Sequence, residues 1–295
     1  MNNNFFFHII TIIASVLVAT LVALATSTEE TQLYDIPIIY LCAGLSFVVH
    51  WAIAIPALIT KSEIYFDLTG MIATLLTIIT AMVALLNSGV QISIKSIIVA
   101  SFVSIWTLRL GLFLFSRIIK SGEDKRFREI KGTFSRFFMT WTLSALWVFL
   151  TIINALTIII INPENIIDSY LIIGTTLWIL GFLIETVADK QKRSFNSRPE
   201  NKGSFITTGL WSKSRHPNYF GEILLWFGIS IISLPLLSEW QYVSLISPIF
   251  VYLLITKISG IPMLESSSEE KWGNEKTYQD YKTNTPILVP YFGKK

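Results

Sequence analysis

The sequence predicts an all-α polytopic membrane helical bundle of about eight transmembrane helices, and three observations predict it. Hydrophobic residues make up 52% of the 295 and charged residues only 15%, whereas soluble domains carry about a quarter charged. Long uncharged runs alternate with short polar clusters along the chain, and helices satisfy their own backbone in lipid. The alternating segments of about ten residues that a membrane β-barrel needs are absent from the pattern. The net charge of +3 is too small to suggest a nucleic-acid partner. The single cysteine, Cys42, lies in an apolar run and reads as a small buried hydrophobe, with no disulfide or cysteine–metal site within one chain.

Apolar segments of about twenty residues fall at roughly 5–26, 37–60, 68–87, 92–119, 137–162, 168–189, 218–238 and 241–264. The first starts on Met1-Asn2-Asn3-Asn4 without a basic leader and is longer than a usual signal-peptide core, so it is read as a helix. Without repeats or low-complexity tracts, the expectation is one integral membrane domain over 1–295. Within it, 1–36 is an N-terminal span and loop, 37–265 the helical core and 266–295 an amphipathic tail. The connections 27–36, 88–91, 163–167 and 239–240 contain neither Lys nor Arg, with Lys95 the nearest exception. Lys61, the cluster Arg117 to Arg136, the cluster Lys190 to Arg215, and the tail lysines fall in the opposite set. The positive-inside rule then places both termini, and a cofactor cavity, on the cytoplasmic side of a bacterial inner membrane or, in a eukaryote, the endoplasmic reticulum.

Candidate chemistry concentrates where charge enters the apolar segments. Arg109 lies within the fourth, Glu185 and Asp189 sit a turn apart at the end of the sixth, Glu222 is a turn into the seventh, and Lys257 is near the end of the eighth. A charge at the bilayer centre costs roughly 2.5–3.5 kcal/mol on insertion scales, so such groups face partners or a polar cavity. Interhelical ion pairing alone is the plainer reading. Arg215-His216-Pro217-Asn218-Tyr219 leads directly into the seventh segment, where Pro217 suits a first helical turn and Asn218 and Glu222 share a face.

The basic residues around Arg126 and Arg193 serve topology and anionic headgroups, or in part grip phosphates. Neither a dinucleotide glycine fingerprint nor a Walker loop is present. Three dispersed histidines and one cysteine exclude a zinc or di-iron cluster, so no metal is expected; His8 and His50 read as packing or weak polar contacts. The insert Ser62 to Gly70 offers Glu63 and Tyr65 as an acid pair able to polarise a carbonyl, or else is a solvated turn. In the tail, Tyr278, Tyr281 and Lys282 either lie at the headgroup level or close a cofactor pocket.

The run G-L-W-S-K-S-R-H-P-N-Y-F-G-E-I-L-L-W-F-G (Gly209 to Gly228) resembles the steroid 5-alpha-reductase-like membrane family, in its mostly bacterial, largely uncharacterised branch. Glu63 to Gly70, Arg109 to Ile118, Asp124 to Phe127, Asp189 to Phe195, S-G-I-P-M-L-E (Ser259 to Glu265) and Tyr278 to Pro290 are similar to it too, so the likeness runs from about residue 50 to the end. It implies a seven-helix reductase core with one extra N-terminal helix. It also implies an NADPH-dependent reductase of a carbon–carbon double bond conjugated to a ketone in a lipid-soluble substrate. Arg109, Arg126, Asp189, Arg193, Arg215, His216, Asn218, Tyr219, Glu222, Tyr278, Tyr281 and Lys282 would then hold NADPH. Glu63 matches the steroid enzymes' acid by position and Tyr65 is the candidate phenol, while Trp106 stands near the place of their tyrosine. R-H-P-x-Y-x-G-E also resembles the S-adenosylmethionine motif of membrane isoprenylcysteine and phospholipid methyltransferases. A receptor-like protein on the same scaffold is the third reading.

Overall fold

The computed structural model describes residues 3–28, 31–33, 35–124 and 127–291. Helix α1 spans Asn3–Thr26, and a short antiparallel pair follows, β1 (Gln32–Leu33) with β2 (Ile36–Pro37). Then come α2 (Ile38–Thr60), α3 (Phe66–Asn87), α4 (Ile94–Ser121), the single turn α5 (Phe127–Ile130), α6 (Phe134–Ile161) and α7 (Ser169–Asn196). The last part comprises α8 (Pro217–Ser233), α9 (Ile246–Leu253), α10 (Ile261–Trp272) and α11 (Lys276–Asn284). The protein is an all-α, multi-pass integral membrane bundle.

Among the described residues, seven helical stretches are long and apolar enough to cross a membrane, where the sequence suggested about eight. The difference is α8. It has 17 residues, about 25 Å at 1.5 Å per residue, against a hydrocarbon core of about 30 Å. Pro235 ends it early, because the residue before a proline is pushed out of helical geometry. The last stretch, Glu239–Trp272, runs farther than its apolar composition foretold. It is not one regular helix: a 3-10 segment (Glu239–Leu245) leads into α9, and a π turn (Leu254–Ile258) separates α9 from α10.

Two compact units are present, Met1–Ile167 with Ser233–Ser247, and Asp168–Ile232 with Pro248–Lys295. The first is built around α6, where 83% of the apolar stretch is buried, against 28–44% in the other six. A helix apolar on every side belongs in a core, and α6 is ringed by α1, α2, α3 and α4. Polar side chains fasten its ends. Asn162, in left-handed geometry at φ 46°, accepts the Ser93 N–H at 2.8 Å, and Asn154 donates to Ser244 at 2.9 Å.

The second unit is built on a glycine seam. A Cβ at Gly221 would lie 2.5 Å from the Gly181 carbonyl and 2.6 Å from the Glu185 nitrogen; one at Gly228 would lie 2.6 Å from the Gly174 carbonyl. The glycines come in pairs seven residues apart on α7 and on α8, so the two backbones touch along two helical turns. Small residues drive such packing in lipid, where apolar side chains gain little by association. This contact sets the start of α8 beside the Glu185 level of α7.

Candidate functional site

In the second unit the site begins with a braced loop. Trp211 is buried, and its Nε1–H donates to the Ala188 carbonyl at 3.0 Å. The Leu210 N–H donates to Gln191 Oε1 at 2.9 Å, and Gly209, at φ 64°, leaves the room that the Gln191 amide fills. Lys192 sits 4.5 Å over the Trp211 ring. From the other side the tail runs along the loop: Arg215 N–H donates to the Pro286 carbonyl (2.8 Å), Ser214 Oγ to that of Leu288 (2.7 Å), and Tyr291 N–H to that of Lys213 (3.0 Å). The tail's apolar run thus fastens Lys213 to Arg215 rather than floating at the surface.

What this bracing presents is a charged triad. Glu265, on α10, accepts from His216 Nε2 at 2.7 Å through one oxygen and pairs with Arg215 through the other. His216 stacks on Tyr219, ring centroids 5.7 Å apart and planes within 17°. Burial holds the His216 pKa below the ordinary histidine value, against the partial opposition of Glu265. The ring is therefore neutral at physiological pH, with its proton on Nε2 and a lone pair on Nδ1.

Among the described residues, three polar atoms of this segment are buried without a hydrogen-bond partner: Arg215 Nε, His216 Nδ1 and Asn218 Oδ1. One donor and two acceptors left over within four residues at the head of α8 are costly. A ligand offering hydroxyls or amide N–H groups would satisfy them. Glu185 is buried and Asp189 and Glu222 are partly so, and each has interaction partners of its own. Arg193 is exposed.

The tail tyrosines have structural partners. Tyr281 donates its hydroxyl to the Trp211 carbonyl at 2.7 Å, and burial pushes its pKa up. Tyr278 packs edge-on against Phe205, 5.1 Å between centroids, with its pKa likewise raised by burial. Lys282 pairs with Glu269 at 2.6 Å.

The first unit holds the remaining expected residues. Both oxygens of buried Glu63 are engaged, one by the Asp124 N–H at 2.8 Å and the other by Lys131 at 2.6 Å. Tyr65 is more than half exposed and stacks on Phe115; among the described residues no hydrogen bond joins it to Glu63. Arg109 is partly buried on α4, and Arg126 lies outside the described residues. A small cavity lies between α3, α4 and α6, partly open to the outside. Its walls are mostly apolar, with Asp67, Trp106, Thr107, Ser144 and Thr151 as polar points. That composition is typical of small-molecule sites.

A sequence-family comparison now has a geometry to meet. The family described as "Protein of unknown function (DUF1295)" matches residues 50–285. The chain belongs to the DUF1295 family, a steroid 5-alpha-reductase-like membrane family. This DUF1295 protein is 24% identical over 124 residues to 3-oxo-5-alpha-steroid 4-dehydrogenase 1 of Bos taurus, covering 42% of this chain and 43% of that one. It is 25% identical over 118 residues to steroid 5-alpha-reductase DET2 of Gossypium hirsutum, covering 40% and 41%. It is also 33% identical over 70 residues to the probable O-methyltransferase ustE of Ustilaginoidea virens, covering 24% and 25%. The match thus spans less than half the length of each of these relatives. No solved structure matches.

Glu265 is the residue that sequence reasoning passed over as a functional side chain. Its one signal was its place at the end of the family-like run S-G-I-P-M-L-E. Asp67, within the same Ser62 to Gly70 insert, lies on the cavity wall.

Proposed function

We propose that this DUF1295 protein is an NADPH-dependent membrane reductase that acts on a carbon–carbon double bond conjugated to a ketone in a steroid-like or other lipid. The observation that carries the reading is the trio of unsatisfied buried atoms on Arg215, His216 and Asn218, in a chain similar to steroid 5-alpha-reductases over two-fifths of its length. NADPH, when bound, supplies a hydride to the β-carbon of the enone. Neutral His216 and Asn218 offer acceptors suited to ribose hydroxyls or a carboxamide, and Arg215 Nε offers a donor. Glu265 holds Arg215 and His216 in that attitude. Asp189, Arg193, Tyr219 and Glu222 complete the cofactor-binding set within the second unit, Tyr278, Tyr281 and Lys282 steady its tail side, and no metal takes part. In the first unit, the cavity between α3, α4 and α6 receives the lipid. Tyr65, with Glu63 as the anchor of its loop, is the phenol this reading assigns to donate toward a ketone, and Asp67 is the carboxylate on the cavity wall. In this reading both termini face the cytoplasm.

A second reading, an S-adenosylmethionine-dependent membrane methyltransferase, is favoured by the likeness to the probable O-methyltransferase. Thermal-shift titration of the detergent-purified protein with NADPH, NADH and S-adenosylmethionine separates the two. A ligand that binds only the folded protein stabilises it by about 2.7 kcal/mol at a hundredfold excess over Kd. Stabilisation by NADPH supports the reductase; stabilisation by S-adenosylmethionine alone replaces it with the methyltransferase.

A further inference from the structure

The tail strap from Pro286 to Tyr291 has two unlike edges. Pro286, Leu288 and Pro290 are partly covered, whereas Ile287, Val289 and Tyr291 are 43%, 63% and 50% exposed. The covered edge faces the loop that enters α8, since the Pro286 and Leu288 carbonyls accept from Arg215 N–H and Ser214 Oγ. The open edge presents two β-branched aliphatic side chains and a phenol. Large apolar groups left open side by side mark an interaction surface.

What meets that edge follows from its depth. The entry loop rests against the end of α7, where the Ala188 carbonyl and Gln191 Oε1 accept from Trp211 and Leu210. Glu185 is the one charged residue from Ser169 to Ala188, and Asp189-Lys190-Gln191-Lys192-Arg193 follows at once. Charge is costly in hydrocarbon, so α7 leaves the bilayer core at about this level. The glycine seam marks the same level on α8. Gly221 lies against Gly181 and Glu185, so Pro217, one turn earlier on an antiparallel helix, stands level with Asp189. The strap, bonded to residues 213–215, therefore runs at the membrane boundary, where tyrosine is at home.

We propose that Ile287, Val289 and Tyr291 form a bilayer-docking edge whose partner is the boundary between headgroups and acyl chains of a phospholipid membrane. Its reach extends past the tail. Ser214 Oγ donates to the Leu288 carbonyl at 2.7 Å and accepts from the His216 N–H at 3.1 Å. A strap pressed down by lipid thus fixes the backbone of His216, and the membrane surface becomes part of what holds the head of α8 in order. The proposal goes beyond the reductase reading and stands whichever cofactor the site takes.

The test uses the full chain in nanodiscs of phosphatidylcholine and phosphatidylglycerol, without cofactor. Val289→Cys carries an environment-sensitive fluorophore, and Cys42, being buried, stays unlabelled. Spin-labelled lipid should quench this label and aqueous iodide should not. A label on Glu200→Cys, exposed beyond the charged end of α7, should show the reverse. Ile287→Asp combined with Val289→Asp should then speed amide exchange at Arg215 and Tyr291 about tenfold, the factor carried by roughly one hydrogen bond. The Lys213 and Ser214 amides, which bond to the Leu210 carbonyl within the loop, should keep their wild-type rates, a split that general loosening of the fold would not give. Iodide quenching at position 289, self-quenching between labelled copies in place of lipid quenching, or unchanged exchange at Arg215 and Tyr291 overturns the proposal. Because no cofactor is present, failure here leaves the NADPH titration intact, and failure of that titration leaves this test standing.

Discussion

The two units handle polar groups in opposite ways. In the first, most hydroxyls are consumed locally: Thr74, Thr77 and Thr157 each donate to the carbonyl four residues back. Such back-bonding lets a helix carry polar residues through an apolar interior, and it leaves a cavity that reads mainly shape. In the second, polar groups reach across long sequence separations. Glu265 gathers Arg215 and His216, and the tail backbone ties down residues 213–215. The price is atoms left unsatisfied at the centre of that brace. Both units keep some buried polar atoms open among the described residues, Thr151 Oγ1 in the first and Arg215 Nε, His216 Nδ1 and Asn218 Oδ1 in the second, but only in the second do they gather in one short segment.

Breaking the scaffold of the second unit should have the largest effect. Gly221→Val places a side chain against backbone atoms of α7 that cannot move aside. We expect destabilisation beyond about 3 kcal/mol, seen as loss of the monodisperse peak in size-exclusion chromatography. Gly44, around whose Cβ position nothing lies within 4 Å, is the contrasting site in the first unit. Gly44→Ala should leave the peak unchanged or improve stability slightly, since alanine is the better helix former.

Glu265→Gln comes next. It removes the charge that Arg215 and His216 share while keeping the shape, and should lower stability by about 2–3 kcal/mol, toward the low end for a broken buried pair because Glu265 is one-fifth exposed. In the first unit, Thr142→Val removes the acceptor of the Trp51 Nε1–H bond at 3.0 Å, together with the hydroxyl's own bond to the Phe138 carbonyl one turn back. Its cost should be about 1 kcal/mol. Equal effects of the two substitutions on the thermal midpoint would erase the contrast between the units.

The smallest effect is in pH. Burial holds the folded pKa of His216 below its ordinary 6.5, so the unfolded chain binds more protons than the folded one below that value. Stability is complete above about pH 6.5 and declines as pH falls through the window beneath it. The thermal midpoint of wild type should drop between pH 7.5 and 5.5 by more than that of His216→Gln. An identical slope in both would show that His216 stays solvated.

Much of this was legible in the sequence. The long apolar runs gave α1 to α4, α6 and the start of α7 to within about three residues, because span length and the scarcity of charge are local properties; the charged end of α7 carries the helix seven residues past the expected 189. The head of α8 was legible as well, since Arg-His-Pro-Asn before an apolar run is an unusual way to enter a membrane helix. Glu265 was not, because its partners lie about fifty residues away and no periodicity links them. The polar run after Glu265 concealed that α10 continues to Trp272, and hydropathy could not foresee that Pro235 would leave α8 short. Nor could composition tell that His50, which reads as packing, would lie 3.2 Å from the Ser144 hydroxyl, 94 residues away.

The claim that matters most is that the head of α8 is a cofactor site, and Asn218→Ala tests it most directly, because Asn218 Oδ1 has no hydrogen-bond partner among the described residues. Calorimetric titration with NADPH, set beside the melting temperature of the ligand-free protein, is the measurement. The account predicts an affinity at least about tenfold weaker than wild type with the ligand-free melting temperature unchanged. Unchanged NADPH affinity in the folded variant would contradict it.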